Sequence, residues 1–203
     1  MLLFSIFAMG DNETYISSGG EYSRLIEKQT VLGVPVQTNL NSIGIYVDSF
    51  VHKPNESIGY FLHESVLLPL GGSIEAMGSS LEYTLKDTEF KIQMSLMMGP
   101  AFKKAFNDDM ELYFGTGPGS IITSFNDNYN ASFILQFGLG ADCGIRYFYN
   151  NKYFVNFGLA AEYDFIGFSL INGEEKWTTS NYSAISLKPH IGFGMKYGIR
   201  YVY

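Results

Sequence analysis

Five ionisable residues lie on the polar side of alternating segments and could form one enclosed cluster. They are Asp48, His63, Asp142, Glu162 and Lys196. Counting residues from the nearest short turn places all five at a similar depth, so they would meet inside a narrow barrel. Charges enclosed in this way must be paired or hydrated. The sequence therefore predicts a salt-bridged plug in which Glu162 or Asp142 holds Lys196. The alternative is a proton- or ion-responsive passage in which His63 titrates.

Other residues of catalytic or metal-binding type lack the arrangement that either chemistry requires. Asp48, His63 and Ser65 are the residue types of a Ser-His-Asp site, but that site depends on hydrogen-bond geometry, and the chain has no nucleophile elbow. His52 and His190 have no partners at metal-ligand spacing. The sequence therefore predicts no catalytic residue, no metal site and no cofactor, and the chain is expected not to be an enzyme.

The segment 185–203 shows which kind of element positions the polar cluster. Its odd-numbered positions are apolar or aromatic, and its even-numbered positions are mostly glycine or cationic. Alternation with a period of two is typical of a β-strand that has one apolar and one polar face. We interpret the segment as the closing strand of a transmembrane β-barrel. Seven earlier segments complete a set of eight strands: 14–25, 40–51, 58–70, 89–103, 110–125, 133–149 and 153–165.

The connections between these segments alternate in length. Three are short, at 54–57, 107–109 and 150–152, and the others are mostly longer, at 26–39, 71–88, 126–130 and 171–181. Short turns at one end and longer loops at the other are typical of outer-membrane barrels. The predicted fold is therefore all-β, an eight-stranded antiparallel up-and-down transmembrane β-barrel.

Glycine and tyrosine positions indicate which face of the barrel points outward. The polar face is rich in glycine, whereas the surface of a soluble barrel would carry longer polar side chains. A narrow eight-stranded lumen has room only for small side chains and a few large ones. Tyrosines cluster at strand ends beside the short turns, where an aromatic girdle meets the membrane interface: Tyr147, Tyr149, Tyr153, Tyr201 and Tyr203. The apolar face is therefore expected to contact lipid.

Two positions depart from this regular pattern. Glu64 falls on the apolar face of its segment, and a bulge or a register shift would move it. Pro118 removes a ladder hydrogen bond and therefore predicts a bulge. Before it, the apolar face consists of even-numbered residues; after it, the face continues with the odd-numbered residues Ile121, Thr123 and Phe125.

Composition restricts the class of protein further. The 203 residues carry a formal net charge of −7 and no basic stripe, which argues against nucleic acid as a partner. Cys143 is the single cysteine, so an intrachain disulfide is excluded. Apolar residues are dispersed in alternation and form no run of the ~20 residues that a transmembrane helix needs.

The beginning of the chain resembles a processing segment. The apolar run 2–9 is followed by Gly10, and Ala8 and Gly10 are small residues at the positions that a signal peptidase reads. We interpret residues 1–10 as the remnant of a signal peptide. Residues 11–203 are then a single barrel domain.

The pattern Tyr197-x-Ile199-x-Tyr201-x-Tyr203 carries a resemblance to known proteins. Together with the strand architecture, it is similar to the small eight-stranded outer-membrane barrels of the OmpA, OmpX and OmpW type. The resemblance implies an outer-membrane protein that is exported through the periplasm, handled by periplasmic chaperones and inserted by the barrel-assembly machinery, which reads the terminal pattern. Tyr203 stands where phenylalanine is commoner. The Asn- and Tyr-rich composition also resembles spirochaete outer-membrane proteins of unknown function.

These features favour a non-enzymatic, monomeric barrel in the lipid bilayer, with a structural, adhesive or surface-interaction role. Its loops would bind an environmental or host ligand. One alternative is a narrow conduit or binder for small or hydrophobic molecules, of the OmpW kind. Another is a lipid-modifying enzyme, which would need a histidine and a nucleophile together at the outer rim.

Overall fold

The computed structural model describes residues 12–31, 33–85, 88–126, 131–171, 174–178 and 182–198. The predicted signal segment 1–10 lies outside these ranges. Ten antiparallel strands occupy the described residues: β1 Glu13–Val31, β2 Val34–His52, β3 Ile58–Ala76, β4 Ser79–Thr84, β5 Phe90–Ala105, β6 Met110–Asn126, β7 Ala131–Phe148, β8 Tyr153–Ile171, β9 Glu174–Thr178 and β10 Ser183–Gly198. Among these residues, no helix is long and apolar enough to cross a bilayer.

Eight of the strands close into a barrel. Each of β1, β2, β3, β5, β6, β7, β8 and β10 pairs with the next, and β10 returns to pair with β1. The short strands β4 and β9 pair with β3 and β8 at the loop end. This arrangement confirms the predicted eight-stranded up-and-down barrel.

Following the ladder once around the barrel shows how strongly the strands are staggered. Moving from each residue to its paired residue on the next strand, a path that starts at Ser17 of β1 passes through Asp48 and His63. It returns to β1 at Glu27, ten residues further along. Such a stagger requires strands that tilt by about 35–45° from the barrel axis. Eight strands at this tilt enclose an interior that side chains can fill.

The two faces of the strands separate as the alternation predicts. On β10, Ile185 and Phe193 are exposed on the outside, whereas Ser186, Lys188 and His190 are buried inside. The other barrel strands repeat this division, with exposed isoleucine, leucine, methionine, phenylalanine and tyrosine around the outside. Such an apolar exterior would be unfavourable in water and is suited to lipid.

The predicted loops near β1–β2 and β3–β4 are wrong. β1 and β2 stay paired as far as Val31 and Val34, where Gly33 adopts a left-handed φ of 83° that suits the reversal. β3 and β4 form a similar hairpin around Gly78, and β9 lies inside the predicted loop 171–181. Hairpin arms beyond the bilayer need no apolar face, so alternation does not reveal them.

The predicted bulge at Pro118 is also wrong. Pro118 pairs in register with Leu139, and Ile121 and Thr123 are buried inside the barrel. The paired ladder to β5 is interrupted between Gly115 and Gly119. Because the ladder is interrupted there, the missing N–H of Pro118 is tolerated and no extra residue is inserted into β6. Odd-numbered residues of β6 therefore face the lumen on both sides of Pro118.

Register shifts occur at two other places, between Asn41 and Ser42 and between Phe137 and Gly138. Neither shift lies at Glu64, which pairs with Val47 and Leu96 and keeps its place on the outer face.

Candidate functional site in the barrel lumen

The inner layer of the lumen, nearest the short turns, is built around Arg146 of β7. Arg146 Nη1 donates to Glu111 Oε1 at 2.8 Å. The guanidinium carbon lies 4.6, 4.3 and 4.4 Å from the ring centroids of Tyr15, Phe50 and Tyr113. A planar, weakly hydrated cation can stack on aromatic faces while it pairs with a carboxylate, which suits arginine better than lysine. Further apolar side chains complete this layer: Phe61, Met97, Ala101, Phe148, Phe154 and Ala160.

The central layer contains His63 between two carboxylates. His63 Nδ1 lies 2.6 Å from Asp48 Oδ1, and His63 Nε2 lies 3.1 Å from Glu21 Oε2. The side chains of all three residues are fully shielded from solvent. Tyr46 stacks on the imidazole with ring centroids 5.9 Å apart. His63 and Asp48 are direct partners in the β2–β3 ladder, so the sequence register places them together.

A second histidine, His190 of β10, lies on the other side of Asp48. Its Nδ1 is 3.2 Å from the carbonyl oxygen of Lys188, which can only accept, so Nδ1 carries the proton. Its Nε2 faces Asp48 Oδ2 and Asp142 Oδ1, each at 3.7 Å, and the Tyr113 hydroxyl at 3.1 Å. Both carboxylate oxygens of Asp142 are buried without a hydrogen-bond partner.

The outer layer contains the ion pair of Lys188 and Glu162. Lys188 Nζ lies 3.1 Å from Glu162 Oε2 and 2.6 Å from Ser95 Oγ. Asp164, two residues from Glu162 on the same face, is buried, and both its carboxylate oxygens lack a hydrogen-bond partner. Polar side chains therefore line the lumen above the inner layer.

The structure brings together three of the five predicted cluster residues. Asp48, His63 and Asp142 belong to the central layer, and Glu162 lies in the outer layer on Lys188. The predicted partnership of Lys196 with Glu162 or Asp142 is wrong.

Lys196 lies at the inner rim, where its Nζ is 3.1 Å from Glu13 Oε1. Among the described residues, the last pair of the β1–β10 ladder is Glu13–Gly198, and Lys196 lies two residues before it. Counting residues from the short-turn end placed Lys196 too far inside the lumen. Lys188 lies eight residues earlier on the same face, so the alternation would also have predicted that it points into the lumen.

The residues of the Ser-His-Asp candidate do not assemble into a catalytic site. Ser65 Oγ pairs with Ser95 Oγ at 3.0 Å. Both nitrogens of His63 face carboxylates, so neither is free to act on the serine.

Tyrosines surround the short-turn end of the lipid-facing surface. Tyr60, Tyr147, Tyr153 and Tyr197 are exposed there, and Tyr149 stacks on Tyr153 with centroids 6.1 Å apart. Amphipathic rings at this level are typical of a membrane interface. Of the predicted terminal signal, Tyr197 is exposed on the outer face, and Ile199, Tyr201 and Tyr203 lie outside the described residues.

Comparison with solved structures gives the class of the fold. OprG, an outer-membrane protein of Pseudomonas aeruginosa, superimposes with a TM-score of 0.60 over 92% of this chain and 96% of OprG, at 13% identity. Neisserial surface protein A gives 0.57 over 91% and 97%, at 13% identity. Ail, the attachment invasion locus protein of Yersinia pestis, gives 0.52 over 93% and 100%, at 14% identity.

No protein-family model matches the sequence, and no curated protein is significantly similar to it. The chain has the fold of the small outer-membrane β-barrels. The apolar exterior of the barrel is suited to a lipid bilayer.

Proposed function

We propose that the chain is a non-enzymatic outer-membrane barrel that is closed to solutes and acts through the surface at its loop end. The observation that carries this proposal is the inner layer, in which residues from β1, β2, β6, β7 and β8 pack around Arg146. Aromatic rings and an ion pair in a lumen as narrow as that of eight strands are expected to leave no continuous aqueous path.

The surface at the loop end offers a place for a partner. The β1–β2 and β3–β4 hairpins enclose a groove of about 570 Å³. Met77 at the β3–β4 tip is 81% exposed, and Leu81 of β4 is 67% exposed. Apolar side chains that extend beyond the bilayer are suited to contact with another molecule. Two barrels of the same fold are named a surface protein and an attachment invasion locus protein, which supports a surface-interaction role.

Planar-bilayer conductance of the refolded protein tests the closed lumen. We expect no steady conductance from the wild type, and conductance from Arg146→Ala, because Glu111 then lacks its cation and the ring cluster loses its centre. Lys53→Ala in an exposed turn is the control and should resemble the wild type. Steady conductance of the wild type would favour the conduit alternative.

Labelling of intact cells tests whether the loop end of the barrel faces the outside of the cell. In a Cys143→Ser background, Met77→Cys should react with a membrane-impermeant maleimide on intact cells. Asn151→Cys, in a short turn, should react only after the outer membrane is permeabilised. The reverse result would contradict the proposed orientation.

Biogenesis follows from the same proposal. We infer that residues 1–10 belong to an export signal, that periplasmic chaperones carry the chain, and that the barrel-assembly machinery recognises its C-terminal strand. The lipid-facing position of Tyr197 supports recognition of one alternating apolar face.

A further inference from the structure

The buried charges of the lumen are unbalanced. Among the described residues, six carboxylates are buried inside the barrel: Glu21, Asp48, Glu111, Asp142, Glu162 and Asp164. The buried cations that face them are Arg146 and Lys188, with His63 as a third and His190 as a fourth when they are protonated. Burying an unpaired carboxylate is costly, so additional positive charge in the lumen would stabilise the folded barrel.

Part of this imbalance is concentrated at one point in the central layer. Asp48 on β2, Asp142 on β7 and His190 on β10 each offer a ligand atom, and these atoms all lie within 4.8 Å of one another. Asp142 is fully buried, and neither of its oxygens has a hydrogen-bond partner. Its Oδ1 points to the His190 Nε2 at 3.7 Å, which is too long for a hydrogen bond.

The hydrogen bond of His190 to the backbone prepares its other nitrogen as a ligand. Nδ1 donates to the Lys188 carbonyl, and in the neutral ring Nε2 therefore carries the lone pair, which accepts from the Tyr113 hydroxyl and faces the two carboxylates. Histidines that bind metals commonly donate their second N–H in this way. Asp48 Oδ2 is in turn held by Asn156 Nδ2 at 3.3 Å.

We propose that Asp48, Asp142 and His190 form a structural site for a divalent transition-metal ion, with Zn²⁺ as the ion they fit best. One nitrogen and two carboxylate oxygens are common zinc ligands, whereas Mg²⁺ and Ca²⁺ prefer oxygen alone. Around a tetrahedral zinc, ligand atoms are ~3.3 Å apart given metal-ligand distances near 2.0–2.1 Å. The two separations from Nε2 are 3.7 Å and all three ligand atoms lie within 4.8 Å of one another, so binding requires the side chains to move closer together. The Tyr113 hydroxyl, 3.1 Å from Nε2, is a further oxygen within reach.

The site would join three strands that are distant in sequence. It links the closing strand β10 to β2 and β7 across the lumen, and it neutralises Asp142, which has no partner of its own. With the lumen closed at the inner layer, as proposed above, the ion would enter as the barrel forms. The inference does not depend on the surface role proposed above.

Refolding with and without metal tests the site. The full chain is refolded from urea into detergent micelles with either EDTA or ZnCl₂, and the zinc content is measured after gel filtration. We expect the wild type to retain one zinc ion per barrel, and Asp142→Asn and His190→Gln to retain almost none. Asp164→Asn is the matched control, because it removes another buried, unpartnered carboxylate outside the site and should leave zinc content unchanged.

The unfolding equilibrium gives a second measurement on the wild type alone. Zn²⁺ at about one hundred times its dissociation constant should raise the folding equilibrium constant about a hundredfold, and Mg²⁺ should not. Co²⁺ should give a ligand-field spectrum that persists in Cys143→Ser. Equal zinc in wild type and Asp142→Asn, or no shift of the wild-type urea midpoint with Zn²⁺, would overturn the proposal and indicate that Asp142 is neutralised by a proton.

Discussion

Lys188 of β10 and Glu162 of β8 form an ion pair whose two side chains are fully shielded from solvent, with Nζ 3.1 Å from Oε2. Removing one partner leaves the other charge buried without compensation. We therefore expect Lys188→Met to lower the free energy of unfolding by ~3–5 kcal/mol. Urea unfolding in lipid vesicles measures the change.

Two matched variants separate pairing from packing at this position. Lys188→Met combined with Glu162→Gln should recover much of the lost stability, because no uncompensated charge remains. Lys196→Met removes a rim lysine whose side chain is 30% exposed, and it should cost less than ~1 kcal/mol. Equal losses in Lys188→Met and Lys196→Met would contradict the assignment of Lys188 to the outer layer.

Adjacent glycines on β1 provide a test of how closely the barrel is packed. A Cβ at Gly19 would collide with the backbone of Ile191 and Gly192, whereas a Cβ at Gly20 would meet nothing within 4 Å. Backbone cannot move aside as a flexible side chain can. Gly19→Ala should therefore destabilise the barrel by ~1–3 kcal/mol, as overpacking typically does.

Gly20→Ala is the control for that variant. It should be neutral or slightly stabilising, since alanine restricts the unfolded chain more than glycine does. Heat-modifiable gel mobility and urea midpoints compare the two. A Gly19→Ala barrel as stable as the wild type would show that β1 and β10 are further apart at this row than the structure gives.

The sequence predicted the membrane part of the fold well because each barrel strand has one face in lipid and one in the lumen. That constraint requires apolar and polar residues to alternate in strands such as β5 and β10, and alternate residues there are exposed or buried as expected. The hairpin arms above the bilayer have no such constraint. β4 and residues 26–31 of β1 were therefore missed, although both are regularly paired.

The lumen was predictable in its residues but not in its contacts. Parity identified Asp48 and His63 as inward neighbours, and their pairing follows directly from the β2–β3 register. The partners of His190 come from β2 and β7, and no spacing along the chain could reveal them. The stagger of ten residues around the barrel decides which inward residues share a level, and sequence counting cannot supply it.

The terminal pattern gives a prediction about assembly. Deleting Tyr203 should reduce the amount of protein in the outer membrane more than it reduces folding in detergent, because it removes an aromatic from the predicted recognition signal. Outer-membrane yield and the gel mobility of refolded protein are compared for the two chains. A normal yield of the shortened chain would remove this role from Tyr203.

Glu64 is a carboxylate on the lipid-facing side of β3. It lies between the apolar residues Leu62 and Val66 of that face, and its ladder partners Val47 and Leu96 are also apolar. Ionised side chains on the lipid face of a barrel are destabilising by an amount that depends on depth, and acidic residues cost less than Arg or Lys. We expect Glu64→Leu to raise the free energy of unfolding by ~1–2 kcal/mol and Glu64→Gln to give a smaller increase.

The comparison with a carboxylate outside the membrane completes this test. Glu56 lies in the exposed turn between β2 and β3, and Glu56→Leu should change stability by no more than ~0.5 kcal/mol. Urea unfolding in vesicles should therefore rank Glu64→Leu above Glu64→Gln and both above Glu56→Leu. If Glu64→Leu instead lowers stability, the carboxylate is making a favourable contact at the bilayer face. Chemical cross-linking in the membrane would then decide whether that contact is a second copy of the chain, because a monomer would give no cross-linked dimer.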